Sequence, residues 1–424
     1  MVEVELKYGE EAIYTDISDK NFLGVIASKK NPNNDYPIPN LSYENAINNP
    51  VDKSCFDKLF DRNDKISIVI NDNTRITPSK EILPVLLNRL DNLGIKEENI
   101  EILIAVGSHR PVTEKEMMDE LLGKDIVSRF VVENHDCQAD DLVNLGTTHL
   151  QTPVELNRKF VEADKRITIG DIAFHYYAGY TGGRKSILPG ISSLKSIQKN
   201  HSNLIHPDAV TGNLDGNVIH VDMTQAAEKA KVDFCVSVVL DSNKEIVEIA
   251  TGNIFSSFET CVKKVDELFK VYVDKPADIV LVSSGGFPKD INLYQAQKAI
   301  EQAQTIVKPG GQLVVIAACK DGIGHKVFEE WMYKYETLEE LSKQVQTNFK
   351  LGGHKAYYMR KTMTKADIIL VSELDSELVE DPFNMTPADS VEDALDLAFS
   401  RMGNDASVWT LPIGGETLPL ITPS

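Results

Sequence analysis

Short apolar runs that each break into a polar cluster are the feature that most narrows what this chain can fold into. Ile66 to Ile70 runs into Asn71-Asp72-Asn73-Thr74-Arg75, Ile100 to Val106 into Gly107-Ser108-His109-Arg110-Pro111, and Arg166 to Ile169 into Gly170-Asp171. Runs this short and this rich in β-branched residues read as buried strands. Between the first two, Ser79 to Leu93 carries Ile82, Leu83, Leu86, Leu87, Leu90 and Leu93 at helical spacing. Strand, loop and helix therefore alternate, which builds a parallel sheet covered by helices. The carboxyl ends of such strands line one edge of the sheet, where ligands bind, so clusters far apart in sequence can converge there.

The pattern recurs downstream. Phe234 to Leu240 and Ile246 to Ala250 flank Asp-Ser-Asn-Lys-Glu as a hairpin, Phe255 to Phe269 reads as a helix, and Lys275-Pro276 marks a boundary. Asp278 to Ser283, Gln312 to Ala318, Asp367 to Val371 and about Ser407 to Leu411 are further strands, with helix-like segments separating the first three. A length of 424 residues exceeds one usual domain, and 42% hydrophobic content is ample for two cores. The expectation is two doubly wound α/β domains with the active site in the cleft between them. Residues 1–270 would form the N-terminal cofactor-binding and catalytic domain and 275–424 the C-terminal one. The apolar tail after Gly414-Gly415 could cross back to the first domain.

A formal charge of −20 opposes nucleic acid and anionic membranes as partners and favours a small ligand, held by locally concentrated cations. Five scattered cysteines without a CxxC pair indicate neither a disulfide framework nor a thiolate zinc site. With no basic-apolar leader and no uncharged run of spanning length, the sequence reads as cytoplasmic.

The third strand leads into His175-Tyr-Tyr-Ala-Gly-Tyr-Thr-Gly-Gly-Arg-Lys185-Ser, with His201 sixteen residues after the lysine. Gly179 to Ser186 nearly spells a phosphate loop, but Arg184 stands where that pattern needs glycine. Gly182 and Gly183 still permit close approach to a ligand, and Arg184 and Lys185 supply charge. Lys185 is either a solvated lysine or, if desolvated, a nucleophilic amine. His201, at the end of a helix over Ser192 to Asn200, is either a dipole-favoured terminal histidine or an imidazole ligand for a metal. His109 and His175, each unremarkable alone, sit at two strand ends, and two imidazoles on opposite faces of a substrate are what stereochemical inversion needs. On a helix from about Leu293, Tyr294, Gln295 and Lys298 share one region of surface, where Lys298 is either solvated or a carboxylate anchor. Asp72 and Arg75 read as an ion pair across a turn or as a cation for a substrate carboxylate. His325, His354 and the other histidines carry no such context.

These motifs resemble the nickel-dependent lactate racemases. The likeness spans essentially the whole chain and rests on Asp72-Asn-Thr-Arg75, Gly107-Ser-His109-Arg-Pro, His175 through Lys185-Ser-Ile-Leu-Pro-Gly190, Lys199-Asn-His201 and Tyr294-Gln295-Ala-Gln-Lys298, in family order. The resemblance implies a racemase or epimerase that inverts C2 of a 2-hydroxy acid, lactate or a relative, by proton-coupled hydride transfer. It implies nickel held in a pincer nucleotide of the pyridinium-3,5-bisthiocarboxylic acid mononucleotide type, made by separate biosynthesis proteins. Lys185 would tether that cofactor, His201 would ligate nickel, and Asp72, Asn73, Thr74 and Arg75 would contact the cofactor. His109 and His175 would be the acid/base pair, and Arg75, Tyr294, Gln295 and Lys298 would bind substrate. Two other classes remain open at this point, a P-loop-like phosphotransferase and a noncatalytic carrier of the nickel cofactor.

Overall fold

The computed structural model describes residues 1–29 and 42–423. The chain forms two compact units, Lys30–Leu268 and a second composed of Met1–Lys29 with Phe269–Ser424. No helix among the described residues is long and apolar enough to cross a membrane.

The unit of residues 30–268 is built on a six-stranded sheet in the order Ile246–Gly252, Phe234–Leu240, Lys165–Asp171, Ile66–Asn71, Ile100–Ala105, Val131–Asn134. All neighbours are parallel except the Phe234–Leu240 and Ile246–Gly252 pair, the expected hairpin. The strand Ile66–Asn71 is buried at all but its last residue, as a sheet covered on both faces requires. The helix Ser79–Asn92 crosses to the neighbouring strand and buries Ile82, Leu83, Leu86, Leu87 and Leu90 in one core with Ile68, Ile70, Ile102 and Ile104.

The other unit has its own six-stranded, all-parallel sheet in the order Thr386–Ala388, Ala366–Val371, Val307–Ile316, Ala277–Ser283, Val408–Leu411, Phe22–Val25. Residues 1–29, which the sequence reading grouped with the N-terminal domain, thus supply an edge strand here. The hairpin of Val2–Tyr8 and Glu11–Ile17 also sets Val4, Leu6 and Ile17 against Ile279, Leu281 and Val314. The chain's beginning is held there by apolar burial and a sheet ladder, neither of which depends on proximity in sequence. The tail strand Leu418–Ile421 pairs with Lys270–Val273 of its own unit.

Candidate active site

Three strand ends of the first sheet carry the expected residues Asp72, His109 and His175. Beyond Ile66–Asn71 the chain turns at once, with Arg75 N–H donating to the Asp72 carbonyl (3.2 Å). Asp72 is buried, and its Oδ1 accepts from Thr74 N–H (3.2 Å) and Thr74 Oγ1 (2.6 Å). Its Oδ2 lies 2.6 Å from His109 Nδ1, which arrives from the end of the neighbouring strand. Burial would raise the Asp72 carboxyl, but the hydrogen bond and charge of His109, with Thr74 and Arg75 adding, hold it below the usual range. Of the two readings of Asp72 and Arg75, the ion pair across the turn is not what forms: Asp72 pairs with His109. Asn73 instead donates to Glu116 Oε1 (3.2 Å), which also holds Arg110. The His109 loop is tied to the Lys185 loop, because Gly107 N–H donates to the Gly190 carbonyl (3.0 Å).

His175 sits in a two-residue strand, Phe174–His175, folded back on Gly179–Tyr180. Ala178 N–H donates to its Nδ1 (3.3 Å), and its Nε2 is 3.1 Å from Lys185 Nζ. Burial comes first and the charges of Lys185 and Arg75 follow in pushing this imidazole well below its usual range. A neutral ring whose Nδ1 accepts keeps its proton on Nε2, so that proton is directed at Lys185. Lys185 is itself buried, and burial, then the positive charges of Arg75 and Arg184, push its amine well below the normal lysine range. Its ammonium form is thus disfavoured, and the amine faces the Nε2 proton. This is the desolvated, nucleophilic form of lysine.

His201 is the last residue of the helix Leu194–His201, capped by Ser193, and is 4% exposed. Burial first, then the Lys185 and His109 charges, bring its imidazole down to about 3, so at neutral pH it is uncharged. Tyr177 packs within the group: its ring centroid lies 4.4 Å from that of His175, 5.1 Å from that of His201 and 5.4 Å from Lys185 Nζ. Sequence reasoning missed Tyr177, since nothing in the run Tyr176-Tyr177 distinguishes which ring turns inward.

The glycines and arginine of the near-phosphate-loop do other work. A Cβ on Gly182 (φ +66°) would lie 2.4 Å from Ile172 Cδ1, and one on Gly183 would meet Phe258 at 3.0 Å. The close approach is to the protein's own strand end and helix, not to a ligand. Arg184 is 1% exposed; its Nη2 donates to the Ala178 carbonyl (2.7 Å) and its guanidinium lies 4.2 Å from the Phe258 ring centroid. Burial lowers it to about 9. It braces the loop from within, so its charge is spent on the backbone, and a phosphate cradle of the P-loop kind is not what this turn builds.

In the other unit the helix Leu293–Ala303 carries Tyr294 and Gln295, both partly exposed, and Lys298, exposed. Its N-cap Asn292 accepts from Gln295 N–H (3.0 Å).

Comparison with known proteins gives the family. The family model described as the lactate racemase N-terminal domain matches residues 8–212, and the lactate racemase C-terminal domain matches residues 273–417. The chain belongs to the lactate racemase family. It is an isomerase of the racemase type. The lactate racemase of Thermoanaerobacterium thermosaccharolyticum is 34% identical over 98% of both chains, and that of Lactiplantibacillus plantarum 33% identical over 98% of this chain and 99% of the other. The solved apoprotein of the Thermoanaerobacterium lactate racemase superposes with a TM-score of 0.90 at 32% identity, covering 99% of this chain and 100% of that one. A Thermotoga maritima protein, 19% identical with a TM-score of 0.65 over 90% of this chain, shares the fold.

Proposed function

We propose that this enzyme inverts C2 of lactate or a closely related 2-hydroxy acid, using a nickel pincer nucleotide tethered to Lys185. The observation that carries the reading is the 3.1 Å contact of the buried Lys185 amine with the His175 ring, in one cluster with His201 and the Asp72–His109 pair. These residues fit such a cofactor. An amine condenses with a thiocarboxylic acid arm to a thioamide with loss of water, and a neutral imidazole is a sound nickel ligand. Among the described residues no group of three or more His, Cys, Asp or Glu could hold a metal ion. Most ligands to a metal here would accordingly come from the bound group, with His201 as the protein's contribution. Asp72, Asn73, Thr74 and Arg75 are the residues assigned to its contacts.

When bound, the cofactor supplies an acceptor for the C2 hydride, a chemistry no side chain provides. The chain's own residues manage protons and orientation. Asp72 accepts from His109 Nδ1, which leaves His109 Nε2 as the basic nitrogen for a substrate hydroxyl proton. His175 serves the opposite enantiomer: once Lys185 is tethered its Nε2 loses the amine that faces it, and the long Ala178 contact to Nδ1 (3.3 Å) gives way as the ring proton moves there and leaves Nε2 basic. Arg75 and Lys298 hold the carboxylate, the latter as a point charge, and Gln295 and Tyr294 position the substrate. A planar 2-oxo acid, free to present either face, is the species both histidines act on.

The test is the intact mass and nickel content of protein from a host that also makes the pincer cofactor, beside Lys185→Ala, followed by interconversion of the two lactate enantiomers and of other 2-hydroxy acids. A covalent adduct with nickel, both lost in Lys185→Ala, together with C2 inversion is the expected result. Absence of adduct and nickel, in a host shown to load another family member, would overturn the proposal.

A further inference from the structure

We infer that His325 and Lys355 form a clamp on Tyr294 that fixes the substrate-facing end of the helix Leu293–Ala303, making both positioning residues for substrate binding. The inference rests on the assignment of Tyr294, Gln295 and Lys298 to substrate.

The clamp is assembled from three separate segments of one unit. The loop of residues 322–325 lies over the start of the helix, where Leu293 N–H donates to the Gly322 carbonyl and Tyr294 N–H to the Ile323 carbonyl, both at 3.0 Å. Two of the helix's orphan first-turn donors are thereby satisfied by that loop. The loop ends at His325, whose ring stacks on Tyr294 with centroids 4.8 Å apart and planes at 21°. From the far side of the sequence, the helix Gly353–Met363 contributes Lys355, which is 2% exposed. Its Nζ donates to the Tyr294 carbonyl and lies 4.3 Å from the centre of the Tyr294 ring. Tyr294 is thus held by its amide, its carbonyl and its ring.

Two details indicate that the arrangement is specific. Gly352 (φ +93°) precedes the Lys355 helix, and a Cβ there would stand 2.3 Å from His325 Nδ1 and Cε1. The imidazole therefore occupies space that any other residue at 352 would claim. His325 Nδ1 is buried and makes no hydrogen bond among the described residues, so what the ring contributes here is its flat face. A phenylalanine should serve in its place, which a hydrogen-bonding role would not allow.

The geometry yields a kinetic signature. Residues that place a carboxylate anchor act on ground state and transition state alike, so loosening them raises KM and spares kcat. His325→Ala is expected to raise KM for the 2-hydroxy acid roughly 2- to 12-fold, the span an aromatic pair supplies, with kcat moved by less than about 2-fold. His325→Phe should restore KM, and Lys355→Met should raise it in the same sense.

The experiment measures KM and kcat of cofactor-loaded wild type, His325→Ala, His325→Phe, Lys355→Met and Lys298→Ala. It adds the fluorine resonance of Tyr294 in apoprotein labelled with 3-fluorotyrosine, assigned through Tyr294→Phe. A Tyr294 resonance displaced or broadened in His325→Ala and recovered in His325→Phe, with the KM pattern above, supports the clamp. An unmoved resonance in His325→Ala, or equal failure of Ala and Phe, overturns it. If the resonance moves and Lys298→Ala raises KM while His325→Ala leaves it unchanged, the clamp has no part in substrate fit and the inference fails. If Lys298→Ala leaves KM unchanged, the substrate assignment itself fails and takes the positioning role with it.

Discussion

Replacing Asp72 by Asn removes one charge with almost no change in shape, and the structure indicates how the histidine beside it would respond. Asp72 Oδ1 accepts two donors from Thr74, its N–H and its hydroxyl, while Oδ2 alone faces His109 Nδ1. An asparagine would keep its oxygen toward Thr74, because turning it would set its NH₂ against two donors. The NH₂ then faces His109, whose Nδ1 must accept, and the ring proton moves to Nε2. Proton removal by Nε2 requires undoing that arrangement. The loss is that of a hydrogen bond to a charged group, about 1.5–3 kcal/mol. At 1.36 kcal/mol per tenfold, this corresponds to a drop of roughly 10- to 150-fold in kcat. Because the His109 side chain is 35% exposed and water can partly replace the lost partner, the lower half of that range is expected. The assay is the initial rate from each enantiomer, with product resolved by chiral chromatography and cofactor content verified as equal. The equilibrium constant between enantiomers is unity by symmetry, so kcat/KM must fall equally in both directions although only one histidine is touched. Fully loaded Asp72→Asn within 2-fold of wild type would refute the orienting role.

Arg184→Met tests the brace inside the Lys185 loop. It strands the Ala178 carbonyl and removes the stack on Phe258 while relieving a buried charge, for a net destabilisation of about 1–3 kcal/mol and a Tm lower by roughly 2–10 °C. Impaired cofactor loading at unchanged Tm would instead put the guanidinium at the ligand. Acid should weaken the apoprotein early. Burial brings His201 and His220 to about 3, whereas the unfolded chain takes up those protons near pH 6.5. Stability therefore falls as pH drops from about 6.5 toward 3 and is flat with respect to these groups above 7. His220→Phe, which keeps a ring beside Phe258, should lessen that fall in unfolding midpoints measured from pH 7.5 to 5; a slope equal to wild type would show that His220 does not contribute.

Much of the fold was legible because burial of a parallel sheet leaves its mark on each strand separately. Ile66–Asn71, Ile100–Ala105 and Lys165–Asp171 are short segments rich in isoleucine, and the helix Ser79–Asn92 shows its buried stripe in its own spacing. The lodging of residues 1–29 with 269–424 was not legible, since the edge strand Phe22–Val25 gains its partner, Val408–Leu411, from the other end of the chain. At the site, residue types and order singled out His109, His175, Lys185 and His201. The sequence could not show that Asp72 belongs to His109, that Tyr177 turns inward and Arg184 braces its own loop, or that His325, unassigned among the histidines, stacks on Tyr294.

The division has one physical cause. Periodicity and motif spacing are local properties, so the sequence alone determined the α/β class, the strand-end loops and the chemical types gathered in them. Ionisation and contact are set by what the fold places within a few ångströms and by how much water it removes. That Lys185 is a buried amine against His175 and not a solvated surface lysine was decided only in the tertiary structure, where burial and the charges of Arg75 and Arg184 disfavour the ammonium form.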